Sequence, residues 1–354
     1  MHPTLHTKFC DQVGVQYPIV QTGMGWVATS SLVAGTANAG GLGILASAVM
    51  DMEELRSEVA EIKRLTNKPF AVNMRADATD IEERVDFLIE QGVKVASFAQ
   101  APKQKIIERC KSAGVFVMPS IGARRHAEKV LDWGVDAVLV QGGEGGGHTG
   151  SVPTSILLPD VIDAVAGKIP VIAAGGFFNG RGLVAALAYG ADGIAMGTRF
   201  LLTKDSTVPD VIKQFYLQQN VQGTVVSTQV DGVPHRVLRT ELVEFLESGR
   251  GRLLALPRAA LNALKFRKMT GTPMGDMLRE GLEMRKALDL TFAQMLMAAN
   301  TPMLLKATMI DGNIDAGVMA SGQVVGVIKD LPTCDELIQR IVDEAETALK
   351  ELGA

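Results

Sequence analysis

The chain is short of several features, and each shortage removes a class of protein. Three cysteines, Cys10, Cys110 and Cys334, are spread over 354 residues. They are far apart, odd in number and without metal-type spacing, which suits buried structural thiols in a reducing cytoplasm rather than a disulfide framework. An excess of one charge is also missing: 35 Lys and Arg face 39 Asp and Glu, for a net charge of −4. Both signs are interspersed, so neither a basic face for nucleic acid nor a polybasic membrane anchor is expected. The opening "MHPTLHTKFCDQVG" has no apolar core of the kind a secretory signal needs, and a cytoplasmic location is expected. The most apolar window, "GLVAALAYGADGIAMGTRFLL", is interrupted by Asp192 and Arg199 and punctuated by glycines. It reads as a buried helix followed by a buried strand, not as a membrane span. The classical dinucleotide fingerprint, a Ser or Cys nucleophile arrangement and a His/Cys/Asp cluster at metal spacing are all missing, so no metal is expected. What remains is a partner that is a small molecule.

With 47% hydrophobic residues the chain can bury a large core. Short apolar, β-branched runs read as buried strands: "PIVQTG" (18 to 23), "GLGILA" (41 to 46), "FAVNM" (70 to 74), "VKVASFA" (93 to 99), "VFVMPSI" (115 to 121), "DAVLVQG" (136 to 142), "IPVIAAGG" (169 to 176) and "GIAMGTRF" (193 to 200). Between them lie amphipathic stretches such as "MEELRSEVAEIKRL" and "DIEERVDFLIEQG", the second ending on a glycine suited to a C-cap. Continuous apolar strands alternating with helices imply a parallel sheet, and eight such units are what a (β/α)8 TIM barrel requires. A doubly wound sheet is the runner-up. Polar or glycine-rich residues at the carboxyl ends of the strands favour the barrel, whose active-site face those ends form.

The texture changes near residue 205. "TVVSTQVDGVPHRVLRTELVEFL" reads as a hairpin-like excursion entering a helix, and residues 250 to 300 are Met-rich, basic-patterned and helical. The Met stripe reads as core and cover, although Met surfaces also serve bulky apolar ligands. The expected organisation is a barrel over residues 1–204, a mainly helical lid over 205–315, and a loop and C-terminal helix returning to the barrel over 316–354. The last of these helices is expected at 333 to 351.

Four glycine-rich strand ends carry chemistry. "AAGGFFNGRG" follows the seventh strand and "MGTRF" belongs to the eighth, the two positions from which barrels build phosphate sites. Gly175, Gly176, Gly197 and Thr198 can offer backbone N–H groups and a hydroxyl to a phosphate, helped by the following helix N-terminus, with Arg181 and Arg199 nearby. The bland alternative is that these glycines only make tight turns. Gly23 and Gly25 flank Met24 without bulk at the opposite rim, so a long ligand such as flavin mononucleotide fits. Asn73 and Gln141 either hydrogen-bond its ring or cap loops. In "QGGEGGGHTG", Gly145, Gly146 and Gly147 let the backbone pass under such a ligand, while His148 projects where a substrate proton is taken or given. Glu144 either orients this loop or bonds the ribityl chain.

Taken together, "PIVQTGMGWV", "ANAGGLGIL", "VNM", "GGEGGGHTG", "AAGGFFNGRGLVAALAYGADGIAMGTRFL" and the late "ASGQ" resemble the nitronate monooxygenase (2-nitropropane dioxygenase-like) family of FMN barrels. The resemblance spans almost the whole chain. It implies that Gly23, Met24, Gly25, Asn73, Gly146, Gly147, Gly175, Gly176, Phe177, Gly197 and Thr198 hold FMN, that Gly322 and Gln323 close over it, and that His148 is the acid/base. "VQTGMGWVA", "VNMRADA", "VQGGEGGGHTG", "VDGVPHRVLRTELVE" and "MAANTPMLLKA" look like the branch acting on coenzyme A thioesters of the steroid C/D-ring remnant. That branch implies dehydrogenation of a ring CH–CH bond in a methyl-dioxo-indane-carboxyl-CoA. Arg75 and Asp77 depart from the apolar, proline-containing continuation of nitronate-oxidising members.

The expected partner is therefore an acyl-CoA thioester or a nitronate, with no nucleic acid and no membrane; a homodimer stays open. Arg75, Arg236, Arg239 and Lys306, with Lys265, Arg267 and Lys268, either pair with CoA phosphates or are merely solvated. The alternatives are a nitronate monooxygenase using oxygen, an NAD(P)H-dependent enoyl-thioester or quinone reductase, and a non-redox phosphate-binding barrel.

Overall fold

A computed structural model describes residues 2–248 and 292–353. Eight parallel strands close into a barrel: β1 (Ile19–Gln21), β2 (Leu42–Ala46), β3 (Ala71–Met74), β4 (Val95–Phe98), β5 (Phe116–Ile121), β6 (Val138–Gln141), β8 (Val171–Ala174) and β9 (Gly193–Met196), with β9 pairing back onto β1. A two-residue strand, β7 (Gly147–His148), lies between the sixth and seventh barrel strands in the chain and belongs to a different sheet. The TIM barrel expectation is met, and the doubly wound alternative is set aside by the β1–β9 closure.

Each strand formed where the apolar run predicted it, a residue or two shorter at the ends. The exception is the last. Thr198 to Phe200, expected in strand, instead lie in a short helix, Thr198–Leu201, whose Phe200 and Leu201 N–H groups both donate to the Gly197 carbonyl at 2.9 Å. Once Met196 pairs with Gln21 the ladder ends, and the backbone groups beyond it are satisfied locally.

The helices follow their capping chemistry. Met52–Leu65 starts from Asp51, which forms a reciprocal capping box with Glu54, and Ile81–Glu90 is followed by left-handed Gly92 (φ 63°). A repeated device aligns strands with their neighbours. Asp136, just before β6, accepts the Val117 N–H of β5, and Asp192, just before β9, accepts the Val171 N–H of β8, each at 2.9 Å. Asp192 is thus hydrogen-bonded although buried enough to raise its carboxyl above the ordinary value. Among the described residues no helix is long and apolar enough to cross a membrane.

The amino ends of the barrel are plugged. Phe9, Cys10 and Val13 of the helix Lys8–Val13 join Val20, Leu42, Ala71, Val95 and Ile172 in one buried cluster, and the Phe9 ring meets Phe116 edge-on with centroids 6.4 Å apart. The C-terminal helix, Cys334–Leu352, carries a capping box between Thr333 and Glu336 and packs on the helices Ser30–Asn38 and Gly180–Tyr189.

The chain divides into two compact units. The first comprises residues 1–145, 150–207 and 328–354 and contains the barrel; the second comprises 146–149 and 208–327. In the second, β10 (Thr224–Ser227) and β11 (His235–Leu238) form the expected antiparallel hairpin, and β7 adds to the β11 edge. Val230, Val237, Val243 and Val318 make its buried cluster. The helix Glu241–Glu247 follows, capped by Thr240, and Phe292–Met309 is a further helix. Most of the Met-rich segment, including Lys265, Arg267 and Lys268, lies outside the described residues.

Candidate active site

Register brings the polar strand ends of the barrel level with one another. Ala46 pairs with Asn73, Asn73 with Ser97, Gln141 with Ala174 and Gln21 with Met196. The loops leaving these ends approach closely. A Cβ built on Gly23 would lie 2.7 Å from the Asn73 Cβ, so the β1 loop touches β3 only because residue 23 is bare. Asn73 itself is oriented by donating from Nδ2 to Ser97 Oγ at 3.1 Å. Met24 neighbours Gly197, whose Cβ would sit 3.3 Å from the Met24 sulfur. Gly25 faces Val49, and Trp26 follows it with φ 65°, a left-handed conformation that is costly for an aromatic residue and tends to collect at functional loops.

Beyond β8, Gly175 and Gly176 are consecutive left-handed residues, φ 91° and 88°. Their reasons differ. Gly175 presses on the Gly142 carbonyl, 2.9 Å from where a Cβ would stand, whereas a Cβ on Gly176 would meet nothing nearer than Glu144 at 3.8 Å. Phe177 packs against Gly182, and Thr198 is buried. Gln141 is half-buried at the end of β6, against Gly145.

Three subsidiary expectations resolve here. The helix Gly180–Tyr189 gives two of its first N–H groups to the protein: Gly180 donates to Glu344 Oε2 at 2.9 Å and Gly182 to Asn179 Oδ1 at 3.0 Å. A carboxylate standing there opposes a phosphate, so help from this helix terminus is withdrawn. Arg199, 4% exposed, donates to Asp330 Oδ1 at 2.8 Å and to the carbonyls of Asp330 and Leu202, which makes it a clamp for the chain that precedes the C-terminal helix. Glu144 accepts from the Thr154 backbone N–H and, at 2.7 Å, from its hydroxyl, so it orients the loop.

The second unit holds His148. Gly146 lies against Ser321 and Gly322, where a Cβ would stand 2.6 Å from the Gly322 nitrogen, so two of the expected flavin-loop residues share one close backbone approach. Gln323 begins a 3-10 turn, Gln323–Val327. Gly147 is left-handed (φ 76°) and pairs with Arg236, and His148 pairs with His235. The two imidazoles stand 4.6 Å apart between centroids. Both reach Asp231 Oδ2: His148 Nε2 at 2.7 Å and His235 Nδ1 at 2.9 Å. Asp231 Oδ1 accepts the Val233 N–H at 3.2 Å. Burial alone would raise this carboxyl, but the hydrogen bonds from the two histidines outweigh it and hold Asp231 well below the ordinary carboxylate range. His148 is 62% exposed, Asp231 12% and His235 5%, so an accessible imidazole rests on a sheltered base.

Asp231 and His235 were not singled out from sequence. Both lie in the branch-like segment "VDGVPHRVLRTELVE", but their i, i+4 spacing within "VDGVPH" by itself marks only a turn. The pairing of β7 with β11, across more than eighty residues of chain, is what gives them chemistry.

The cationic residues separate. Arg75 is clamped by Asp77 through two bonds of 3.0 and 2.8 Å. Arg236 donates to Thr224 Oγ1 at 3.1 Å, Arg239 to the Gln222 carbonyl at 3.2 Å, and Lys306 lies in the helix Phe292–Met309.

A TIM barrel with glycine-bare loops at its carboxyl ends and a histidine in the glycine loop after its sixth strand is the form taken by a class of oxidoreductase barrels. The family model described as nitronate monooxygenase matches residues 6–86 and 78–344, and the chain belongs to that family. It is 61% identical, over 351 residues and 99% of both chains, to a protein of Mycobacterium tuberculosis named (3aS,4S,5R,7aS)-5-hydroxy-7a-methyl-1-oxo-octahydro-1H-indene-4-carboxyl-CoA dehydrogenase. A protein of the same name from Rhodococcus jostii matches equally, at 61% identity over 99% of both chains. Among solved structures, FabK from Thermotoga maritima superposes with a TM-score of 0.79 and 31% identity, covering 98% of each chain.

Proposed function

We propose that this chain is an FMN-dependent dehydrogenase of a ring-fused carboxyl-CoA thioester from steroid C/D-ring breakdown. The observation that carries this reading is the 61% identity over nearly the full length of two dehydrogenases whose name states such a substrate. That name gives the rings one ketone and a hydroxyl at carbon 5, and the substrate proposed takes that form.

The residues fit a flavin on one structural ground. Gly176 keeps an open side at a left-handed position beside Gly175, a cradle that a side chain would fill. Gly23, Met24, Gly25, Asn73, Gln141, Gly146, Gly147, Gly175, Gly176, Phe177, Gly197, Thr198, Gly322 and Gln323 are the proposed FMN contacts. When bound, the flavin supplies a two-electron acceptor for a hydride. His148 is the base. The thioester carbonyl acidifies the neighbouring C–H, His148 takes that proton, the hydride leaves the adjacent ring carbon, and a C=C bond forms between the two carbons. Arg236, Arg239 and Lys306 are the proposed partners of the CoA phosphates, Arg75 being already held by Asp77. The buried thiols support a cytoplasmic setting. A homodimer would show in light scattering as twice the chain mass.

The test is an anaerobic visible spectrum of the purified protein, first with an alkyl nitronate and then with the hydroxy-oxo-indane-carboxyl-CoA. Bleaching by the thioester alone is expected. Bleaching by the nitronate, followed by oxygen uptake, would transfer the assignment to the reaction in the family's description. NADH-driven bleaching with no response to the thioester would turn it to a reductase.

A further inference from the structure

We infer that Asp231 is the positioning residue for His148: it holds the imidazole by its Nε2–H, so that the substrate proton is exchanged at Nδ1, while His235 fixes the carboxylate from the opposite side. This deepens the proposed acid/base role of His148 and rests on it.

The argument starts from hydrogen-bond bookkeeping. An ionised carboxylate only accepts, so each ring nitrogen within reach of Asp231 Oδ2 must carry a proton. His148 Nε2 at 2.7 Å and His235 Nδ1 at 2.9 Å are therefore both N–H donors. A neutral imidazole has one N–H, so in neutral His148 the lone pair resides on Nδ1. Asp231 thereby selects the Nε2–H tautomer. Asp231 in turn cannot swing away. Its other oxygen takes the Val233 N–H, and His235, packed with 5% exposure, occupies Oδ2 from strand β11.

When His148 accepts a proton, the imidazolium stays bonded to an anion that is 12% exposed and thus poorly screened by water. The cluster passes from one negative charge to none. Among the described residues of the second unit, Asp231 and His235 face His148, and Arg236, which pairs with Gly147, donates its Nη1 to Thr224. The same three side chains could in principle ligate a cation, since their ligand atoms lie within 4.8 Å of one another. Their spacing argues for shared protons instead. Ligands around a tetrahedral metal with bonds of about 2.05 Å stand about 3.3 Å apart, longer than either contact to Asp231.

The experiment is 15N NMR of the flavin-loaded protein with labelled histidine, at about pH 8.5, where ordinary imidazoles are neutral. His148→Gln identifies the signal among the chain's five histidines. Wild type is expected to show protonated Nε2 and unprotonated Nδ1 at His148. In Asp231→Asn the amide can donate to Nε2, so the proton moves to Nδ1 and thioester oxidation falls at least about hundredfold at unchanged flavin content. Asp231→Glu should restore the Nε2–H tautomer. A wild-type Nδ1–H tautomer, an Asp231→Asn variant that keeps Nε2–H, or a stoichiometric divalent cation in the purified protein would overturn the inference. The tautomer is read without substrate, so a wrong substrate assignment leaves this result standing, and a wrong tautomer leaves the substrate assignment standing.

Discussion

Arg199 donates to Asp330 Oδ1 at 2.8 Å, joining the turn after the last barrel strand to the segment that leads into the C-terminal helix. Burial would raise the Asp330 carboxyl, but bonds from Arg340 and Arg199 outweigh it and keep the group below its ordinary value. The guanidinium therefore belongs to the fold. Arg199→Ala removes three hydrogen bonds around a buried charge and should cost about 3 kcal/mol in chemical denaturation. Flavin per folded chain should not change; flavin loss at unchanged stability would return Arg199 to the phosphate.

Gly176→Val tests the cradle. Its φ of 88° makes any side chain strained by about 1–2 kcal/mol, and the added bulk would fill the open side next to Gly175. Gly92→Val is the matched control, since Gly92 is also left-handed (φ 63°) with nothing within 4 Å of its Cβ position. Both variants should lose similar stability, and only Gly176→Val should lose its yellow colour. Equal flavin content in the two would reduce Gly176 to turn geometry.

His148→Ala separates chemistry from binding. The side chain is exposed and takes part in no core packing, so folding and flavin content should survive. Turnover should fall about hundredfold or more, the usual contribution of a general base. Activity within a few-fold of wild type would remove His148 from the reaction.

The three thiols should be inert in the native protein. Burial pushes Cys110 up to about 11 and Cys334 up to about 12, and raises Cys10 as well. The thiolate is the reactive form, so at pH 8 it is scarce at all three sites. A disulfide reagent should label none of them within minutes and all three after unfolding. A stoichiometric fast reaction in the native state would contradict this packing.

Much of the barrel was legible in the chain because it rests on local signals. Eight apolar runs separated by amphipathic stretches require a parallel sheet covered by helices, and the glycine closing "DIEERVDFLIEQG" marks where one of those helices ends. The glycine loops were legible for a related reason: a bare backbone at a strand end declares that something approaches it. What approaches was not legible. Gly23 is bare because Asn73 comes within 2.7 Å of its Cβ position, and Gly146 because of Gly322, two protein contacts that no spacing rule contains.

Sequence alone determined the order of strands and helices, the barrel class and the position of His148 in a glycine loop, since periodicity, capping and turn preference act over a few residues. Tertiary structure decided which polar groups meet. Only the pairing of β7 with β11 sets Asp231 and His235 beside His148, only the return of the C-terminal helix gives the Gly180 N–H to Glu344, and only the approach of Asp330 turns Arg199 from a candidate ligand into a clamp. Such bonds are decided by distance in space, and distant segments of a chain carry no local mark of the neighbour that will satisfy them.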